Sequence, residues 1–112
     1  MRPIPKRLLI HSVIHVPPES KDPWGKVTPG QETGLRFVRM EPSSRIVRDK
    51  NNAEIQLAAT LFFDCKNSAP KVEFHEDDVI VFNGQKHRIA LIEPLYDGEK
   101  LHHYEVGLIR NA

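Results

Sequence analysis

The chain has little of several residue types that would indicate a particular class of protein. It contains one cysteine, Cys65, among 112 residues, which excludes an internal disulfide framework and a multi-cysteine zinc site. Sixteen lysines and arginines against fifteen aspartates and glutamates give a formal charge of +1, which excludes a broadly basic nucleic-acid coat and an acidic disordered tail. The apolar run from Leu8 to Ile10 is too short for a signal sequence or a membrane span. We expect one small domain over residues 1–112 with no membrane contact.

Recognisable catalytic patterns are also missing. The sequence has no G-x-S-x-G, no G-x-x-x-x-G-K-[ST] and no G-x-G-x-x-G motif. Cys65 has no base recognisable from spacing, so we expect a buried or half-buried thiol rather than a nucleophile. We therefore predict that the protein is not an enzyme and uses no cofactor.

Candidate metal ligands occur at unfavourable spacing. His11 and His15 would lie about 13 Å apart on a strand, too far for one ion to bridge. The acidic run Glu76 to Asp78 lacks the pattern of a calcium loop and predicts a solvated turn. In the run from His102 to Glu105, His102 would share a direction with Tyr104 and His103 with Glu105, so we expect surface hydrogen bonding there.

Apolar residues recur with a period of two, which predicts strands. Leu8 to Val16 shows one apolar and one mixed face, and Glu54 to Phe63 has alternate apolar residues, although its adjacent alanines would also suit a helix. The strongest local signal is Asn83-Gly84 after an apolar run, which predicts a β-hairpin. Further strand patterns cover Leu35 to Met40, Ile46 to Val47, Val79 to Phe82, Ile89 to Ile92 and Leu101 to Ile109. We predict an all-β fold, a small antiparallel barrel or sandwich of about six short strands.

Residues 17–34 interrupt this pattern with four prolines and three glycines. Such a composition predicts a long exposed loop or a loose hairpin, and connections of this length are usually functional or disordered. Trp24 could fold back onto the barrel or stay exposed as an anchor for a partner. Lys21, Lys26, Arg36 and Arg39 flank or follow it and could contact phosphate without reading base sequence. These five residues are our candidate subunit-interface or channel site.

Charge is unevenly distributed along the chain. Residues 1–50 hold ten basic and five acidic side chains, whereas residues 51–112 hold six basic and ten acidic ones. This segregation is either a coincidence that folding intermixes or a sign of complementary surfaces, which would suit head-to-tail packing of identical subunits.

Taken in order, several blocks of the sequence resemble the minor capsid, or head-completion, proteins of tailed bacteriophages and prophages. The blocks span nearly the whole chain and are Trp24-Gly25, Leu35 to Pro42, Ala59 to Asp64, Ser68 to Pro70, Asp78 to Gly84, and Leu101 to Val106.

This resemblance implies a β-barrel subunit that forms a ring at the head–tail junction of the virion, after assembly in the host cytoplasm. The implied partners are identical subunits, a portal or adaptor protein, tail proteins and, non-specifically, packaged DNA. It also implies that a long loop projects toward the channel of the ring, and residues 17–34 are the candidate. The alternative is a monomeric small-barrel module that binds single-stranded nucleic acid or peptide, which exposed aromatic residues on one barrel face would favour.

Overall fold

The structure is a computed structural model that describes residues 2–111, and these residues form ten strands and one short helical turn. A 3₁₀ turn, Lys6–Leu8, precedes the first strand. The strands are β1 (His11–Val16), β2 (Ser20–Lys21), β3 (Val27–Thr28), β4 (Thr33–Pro42), β5 (Ile46–Arg48), β6 (Glu54–Gln56), β7 (Ala59–Asp64), β8 (Val79–Phe82), β9 (Gln85–Asp97) and β10 (Lys100–Arg110).

Six of these strands close into an antiparallel barrel with the order β1-β4-β7-β10-β9-β8. Two small hairpins, β2–β3 and β5–β6, are attached to it. Closure gives each barrel strand two hydrogen-bonded neighbours, which satisfies the backbone donors and acceptors of the closed part of the sheet. The predicted all-β class with about six strands is confirmed, and the Asn83-Gly84 hairpin joins β8 to β9 with positive φ at both residues.

Apolar side chains from all the barrel strands fill its interior. The most deeply buried large ones are Leu35, Leu61, Phe63, Ile80, Ile89 and Leu108. The alternation predicted for Glu54 to Phe63 places Ala59, Leu61 and Phe63 in the core, as expected, whereas Leu57 is buried outside that cluster, against Gly107. The single strand predicted there is wrong, however, because the chain breaks between Gln56 and Ala59 where it leaves the β5–β6 hairpin and enters the barrel. The helical alternative for the two alanines does not occur.

The first strand turns its mixed face, and not its more apolar one, toward the core. Leu9, Val13 and His15 are buried, whereas Ile10 and Ile14 are exposed. The buried imidazole of His15 has a polar partner, since its Nε2 donates to Asp78 Oδ2 at 2.8 Å. This hydrogen bond to a carboxylate replaces the bonds that the ring would make with water, so it offsets the cost of desolvating the imidazole.

Asp78 corrects another expectation from the sequence. It does not belong to a solvated turn, since it is 1% exposed and also accepts the backbone N–H of His75. Its neighbour Asp77 does face solvent and bonds Lys50 (2.6 Å) and Arg88 (2.7 Å). The hydrogen bond from Lys50, and after it the one from Arg88, holds the pKa of the Asp77 carboxyl below its ordinary value. The Lys50 bond also ties the β5–β6 turn to the side of the barrel.

A β-bulge shifts the alternation of β4. His11 pairs with Val38 and Ser12 with Arg36, so Phe37 has no partner across the pair and adopts a φ of 56°. Arg36 and Arg39 therefore both point outward while Leu35, Val38 and Met40 point inward. The buried Ser68 hydroxyl donates to the carbonyl of Phe37, so the bulge leaves that acceptor satisfied.

The loop after β7 is organised by a buried carboxylate. Asp64 is fully buried and accepts backbone N–H groups from Ile4 (2.9 Å), Lys66 (3.0 Å) and Asn67 (2.8 Å). It therefore fixes a local turn and fastens the N-terminal segment to the barrel.

We predict that Asp64→Ala lowers the free energy of unfolding by about 3 kcal/mol, because three backbone donors lose a buried, charged acceptor. The matched control is Asp49→Ala, since Asp49 also caps two backbone N–H groups but at an exposed turn, and its loss should cost no more than about 1 kcal/mol. Urea unfolding followed by circular dichroism measures both. Equal losses in the two variants would contradict the role assigned to burial.

Candidate subunit interface

Trp24 lies at the tip of a structured hairpin, which we call the Trp24 hairpin (residues 20–28). Ser20 pairs with Thr28 and Lys21 with Val27. At the tip, Asp22 Oδ1 accepts the backbone N–H groups of Trp24 (2.9 Å) and Lys26 (2.8 Å). Gly25 follows with a φ of 84°, a left-handed conformation that glycine adopts without strain.

The hairpin leaves the barrel at a tight crossing. A Cβ on Gly30 would lie 2.0 Å from the carbonyl oxygen of Pro17, so only glycine allows the two legs to approach this closely. Thr33 and Gly34, which the sequence placed in the loop, instead pair with His15 and Ile14 as the start of β4. The exposed segment is therefore residues 17–32, and its two short strands pair as a hairpin, one of the two forms that its composition predicts.

The indole of Trp24 has no packing role within the described chain. Its side chain is 90% exposed, which decides between the two alternatives left by the sequence in favour of the outward one. Lys21 and Lys26 are exposed beside it. An indole held at the end of an ordered turn presents a large apolar surface with little conformational freedom to lose on binding.

The other two candidate residues lie on the barrel wall. Arg36 is exposed on β4 and its guanidinium makes no ion pair or hydrogen bond with residues 2–111. Arg39 is already engaged, since its Nε donates to Glu41 (2.6 Å) and its NH1 to the carbonyl of Leu8 (3.1 Å). The five candidates therefore divide into three at the hairpin tip and two on β4.

A second projection was not predicted from the sequence. Pairing between β10 and β7 stops at His103, whereas β9 and β10 continue together to Asp97 and Lys100. This extension, which we call the Tyr96 arm (residues 94–101), exposes Leu95 at 37% and Tyr96 at 60%. Leu95 and Tyr96 point to opposite faces of a two-stranded ribbon, so each face of the arm carries one exposed apolar side chain.

Part of the charge segregation along the sequence is neutralised inside the folded chain. Three basic residues of the first fifty pair with acids of the second part: Arg45 with Glu93 (2.6 Å), Lys50 with Asp77 (2.6 Å) and Arg48 with Glu54 (3.4 Å). Lys21, Lys26 and Arg36 form no such pair with the described residues. Folding thus intermixes some charges and leaves these three cations without an acidic partner among residues 2–111.

The histidines predicted to be poor metal ligands are each used elsewhere. His11 Nδ1 accepts the N–H of Met40 (3.0 Å), and His15 bonds Asp78. His103 Nε2 lies 3.0 Å from Glu105 Oε2, and His102 Nδ1 lies 2.8 Å from His103 Nδ1, so both rings make hydrogen bonds as expected. Among residues 2–111, no three His, Cys, Asp or Glu side chains are grouped to hold a metal ion.

Cys65 is half-buried, as the sequence predicted. Burial raises the pKa of its thiol, and nearby Lys71 offsets this only in part. A raised pKa leaves less thiolate at neutral pH, which is opposite to the requirement of a cysteine nucleophile.

A family model described as minor capsid protein matches residues 5–108, nearly the whole chain. The chain belongs to the minor capsid protein family of bacteriophages. No curated protein matches it. This minor capsid protein is therefore a structural component of the virion, and its family is structural rather than enzymatic. Over residues 2–111, it has no helix of the length and apolarity needed to cross a membrane.

The exposure of Trp24 has a measurable consequence. We predict that Trp24→Ala changes the free energy of unfolding by no more than about 0.5 kcal/mol, whereas Phe63→Ala in the barrel interior costs about 3–5 kcal/mol. Chemical denaturation monitored by circular dichroism tests both variants.

The wild-type chain has one tryptophan, and its fluorescence should be that of an indole in water. A blue-shifted emission from the isolated chain would show that the indole is packed and would contradict the exposed position.

Proposed function

We propose that this minor capsid protein is a head-closure subunit of the head–tail connector, which assembles as a ring between the portal or adaptor protein and the tail. The observation that carries this proposal is the 90% exposed indole at the tip of an ordered hairpin. A structural protein with such an anchor and a closed barrel is suited to work through contacts with other subunits.

Barrel closure supports this assignment by limiting the ways in which the protein can bind partners. Within the closed part of the barrel each of the six strands is paired on both sides, so a partner cannot add a strand there. Contacts must use side chains on the barrel wall or the two projections that extend beyond it. Burying an indole removes about 200 Å² of apolar surface from water, a gross gain of about 5 kcal/mol before the cost of association.

Three cations without an acidic partner among residues 2–111 can bind either of two negatively charged surfaces at a head–tail junction. Lys21 and Lys26 flank the exposed indole and Arg36 lies on the barrel wall, so they can approach acids of an adjacent subunit. They can also contact phosphates of packaged DNA without reading sequence. In this proposal the protein resides at the head–tail junction of the virion and passes through the host cytoplasm during assembly.

The alternative of a monomeric nucleic-acid or peptide module receives less support. A stacking surface needs several exposed rings along one face. Trp24 and Tyr96 lie on different projections, and the exposed ring of Phe37 has the Lys6 ammonium above it at 4.6 Å. Phe63 and Phe74 are used in the core. The described aromatic residues therefore do not form a continuous platform on the barrel.

The direct test is affinity purification of the tagged chain from cells that express the neighbouring structural genes, followed by mass spectrometry and particle imaging. We expect recovery with portal or adaptor rings and density for the protein at one vertex of the head. Recovery alone, or with nucleic acid, under conditions where heads assemble would contradict the connector role and favour the binding module.

Arg36 provides a variant test of electrostatic assembly. We predict that Arg36→Glu lowers incorporation into particles about five-fold, equivalent to about 1 kcal/mol, because a free cation at an interface becomes an anion. Arg36→Lys is the control and should assemble normally. Arg39 is less informative, since its reversal also breaks the bonds to Glu41 and Leu8.

The stability of Arg36→Glu should match that of the wild type, because the side chain is exposed and lacks a partner among residues 2–111. Normal incorporation of Arg36→Glu, with the salt dependence of assembly unchanged, would remove Arg36 from the interface.

A further inference from the structure

We propose that His102 and His103 form a proton-dependent latch, which holds the Arg2 end of the N-terminal segment (residues 2–8) on the barrel. The latch is closed while the two rings carry one proton more than two neutral imidazoles, and it opens when that proton leaves. Every group in it belongs to a single chain, so it is independent of the connector role.

A β-bulge brings the two rings together. Leu101 pairs with Tyr96 and His103 with Leu95, so His102 is an extra residue on β10 without a partner on β9. In a regular strand, adjacent side chains point to opposite faces, but a bulge interrupts that alternation. The ring centroids of the two histidines therefore lie 5.0 Å apart, and their Nδ1 atoms are separated by 2.8 Å.

The other nitrogen of each ring also has a partner. His102 Nε2 donates to the backbone carbonyl of Arg2 at 2.6 Å. A carbonyl oxygen can only accept, so this nitrogen carries a proton. His103 Nε2 donates to Glu105 Oε2 at 3.0 Å. These groups form one chain of hydrogen bonds, which runs from the Glu105 carboxylate through both rings to the backbone of the N-terminal segment.

The charge state of the rings follows from a count of protons. The three hydrogen bonds of this chain need three protons on the two rings: one on each Nε2 and one between the facing Nδ1 atoms. Two neutral imidazoles carry one proton each. The complete chain therefore contains one imidazolium, whose charge is balanced by the Glu105 carboxylate. Once the extra proton leaves, one of the three hydrogen bonds has no hydrogen and is lost.

The hydrogen bond to Arg2 is the one that is lost. A bond to a carboxylate is about twice as strong as a bond between neutral groups, so His103 Nε2 keeps its proton for Glu105. The facing Nδ1 atoms also keep a proton, because two lone pairs at 2.8 Å would repel each other. His102 Nε2 then has no proton to donate, and it lies against the Arg2 carbonyl as a second acceptor. Deprotonation thus pushes the Arg2 end off the ring.

Several charged or titratable groups lie beside the pair on neighbouring elements. They are Asp64 on β7, Glu93 on β9 with its partner Arg45, Cys65 and Lys66 in the loop after β7, and Asp97 and Lys100 at the turn of the Tyr96 arm. The carboxylates favour the charged pair and the lysines oppose it. Cys65 contributes no charge, since burial raises the pKa of its thiol. Glu105 stabilises the extra proton by a hydrogen bond as well as by its charge.

The next part of the N-terminal segment is held by contacts that need no imidazole. Ile4 donates its backbone N–H to Asp64 Oδ1 at 2.9 Å, and Asn67 Nδ2 donates to the Ile4 carbonyl at 2.8 Å. Proton loss at the histidines therefore frees the Arg2 end and leaves Ile4 attached. The residue between them, Pro3, moves with the freed end.

Movement of Pro3 changes the surface at the base of the Tyr96 arm. Pro3 lines a pocket together with Cys65, Leu101 and His102. When the Arg2 end leaves, this wall of the pocket leaves with it, and the side chains behind it become accessible. The latch thus couples the protonation of two rings to the exposure of a surface beside one of the two projections.

The proton count also fixes the sign of the pH dependence. The attached state needs a proton on His102 Nε2 that the detached state does not need. Because the attached state binds more protons, attachment is favoured at lower pH and weakens as the pH rises through the range in which imidazole changes charge.

Solution NMR of the untagged full-length chain tests the latch. Carbon-detected spectra report the Arg2 carbonyl carbon and the Pro3 nitrogen without an exchangeable amide. Between about pH 5.5 and about pH 8.5, we expect the equilibrium constant for detachment to rise at least about ten-fold, as for loss of a hydrogen bond in a charged network. The Ile4 amide should keep the shift of its bond to Asp64. An Arg2 carbonyl signal that does not change with pH would overturn the proposal.

Imidazole nitrogen shifts in the same samples test the proton count. At the low end of the pH range, His103 should be an imidazolium and His102 a neutral ring protonated at Nε2. A neutral His103 in the attached state would contradict the latch, because three hydrogen bonds could not then be formed with an ionised Glu105.

Variants separate the latch from a general effect of pH. In His103→Gln, an amide N–H can donate to His102 Nδ1 without an extra proton, so the Arg2 end should stay attached across the pH range. The matched control is His75→Gln, which removes an imidazole that lies near Glu73, outside the chain of hydrogen bonds, and should keep the wild-type pH dependence. Persistence of the pH dependence in His103→Gln, or its loss in His75→Gln, would overturn the proposal.

Glu105→Gln keeps both rings and covers the case in which His103→Gln does not fold. A neutral amide stabilises the extra proton less than a carboxylate does, so the midpoint of detachment should move to lower pH. Asn67→Ala is its control, since it should weaken attachment of Ile4 at every pH and leave that midpoint unchanged. An unmoved midpoint in Glu105→Gln would contradict the assigned chain of hydrogen bonds.

Discussion

Closure of the six-stranded sheet is the constraint on which the rest of the molecule depends. A chain of 112 residues has a small core, and an open sheet of this size would leave two edges of unpaired backbone groups. Closing the barrel satisfies those groups, but it also limits how the connections and the interior can be arranged. Loops must leave from the two ends, and inward side chains must fill a narrow space. The bulge at Phe37 and the buried pair of His15 and Asp78 are both local solutions to that geometry.

Polar groups inside the barrel give the fold specificity that apolar packing alone would lack. His15 on β1 reaches the carboxylate at the start of β8, and Asp64 at the end of β7 holds the N-terminal segment. Each contact joins residues about sixty positions apart, so each forms only when the correct strands have assembled. A register shift would leave a buried imidazole or carboxylate without its partner, at a cost of several kcal/mol.

Sequence periodicity predicted most of the barrel strands but not the sites. The alternation in Glu54 to Phe63 and the Asn83-Gly84 turn are local properties, so the core face of β7 and the β8–β9 hairpin could be predicted. The burial of Asp78 could not, because its partner lies 63 positions away. The bulge was hidden for another reason: phenylalanine is an uncommon residue at positive φ, and the Ser68 hydroxyl that accompanies it comes from a distant loop.

The candidate interface was also predictable from the sequence only in part. Proline and glycine content predicted that residues after Val16 would be exposed, but the Asx turn at Asp22 and the outward position of Trp24 depend on which surfaces the barrel leaves available. The Tyr96 arm could not be found from periodicity, because Leu95 and Tyr96 continue a strand that has simply lost its outer neighbour. The turn-forming pair Asp97-Gly98 before the last strand was the local signal at this position.

The close contact between Pro17 and Gly30 also determines how a force on the Trp24 hairpin reaches the barrel. The two legs touch where they leave the barrel, and Pro17 and Pro18 restrict rotation on one side of that point. Beyond the crossing, the short ladder and the Asp22 turn stiffen the tip. A force applied to the indole is therefore delivered to the barrel at one place, beside the first pairs of β1 and β4. A displacement of the hairpin tip can thus be transmitted to the hydrogen-bonded pairs between β1 and β4.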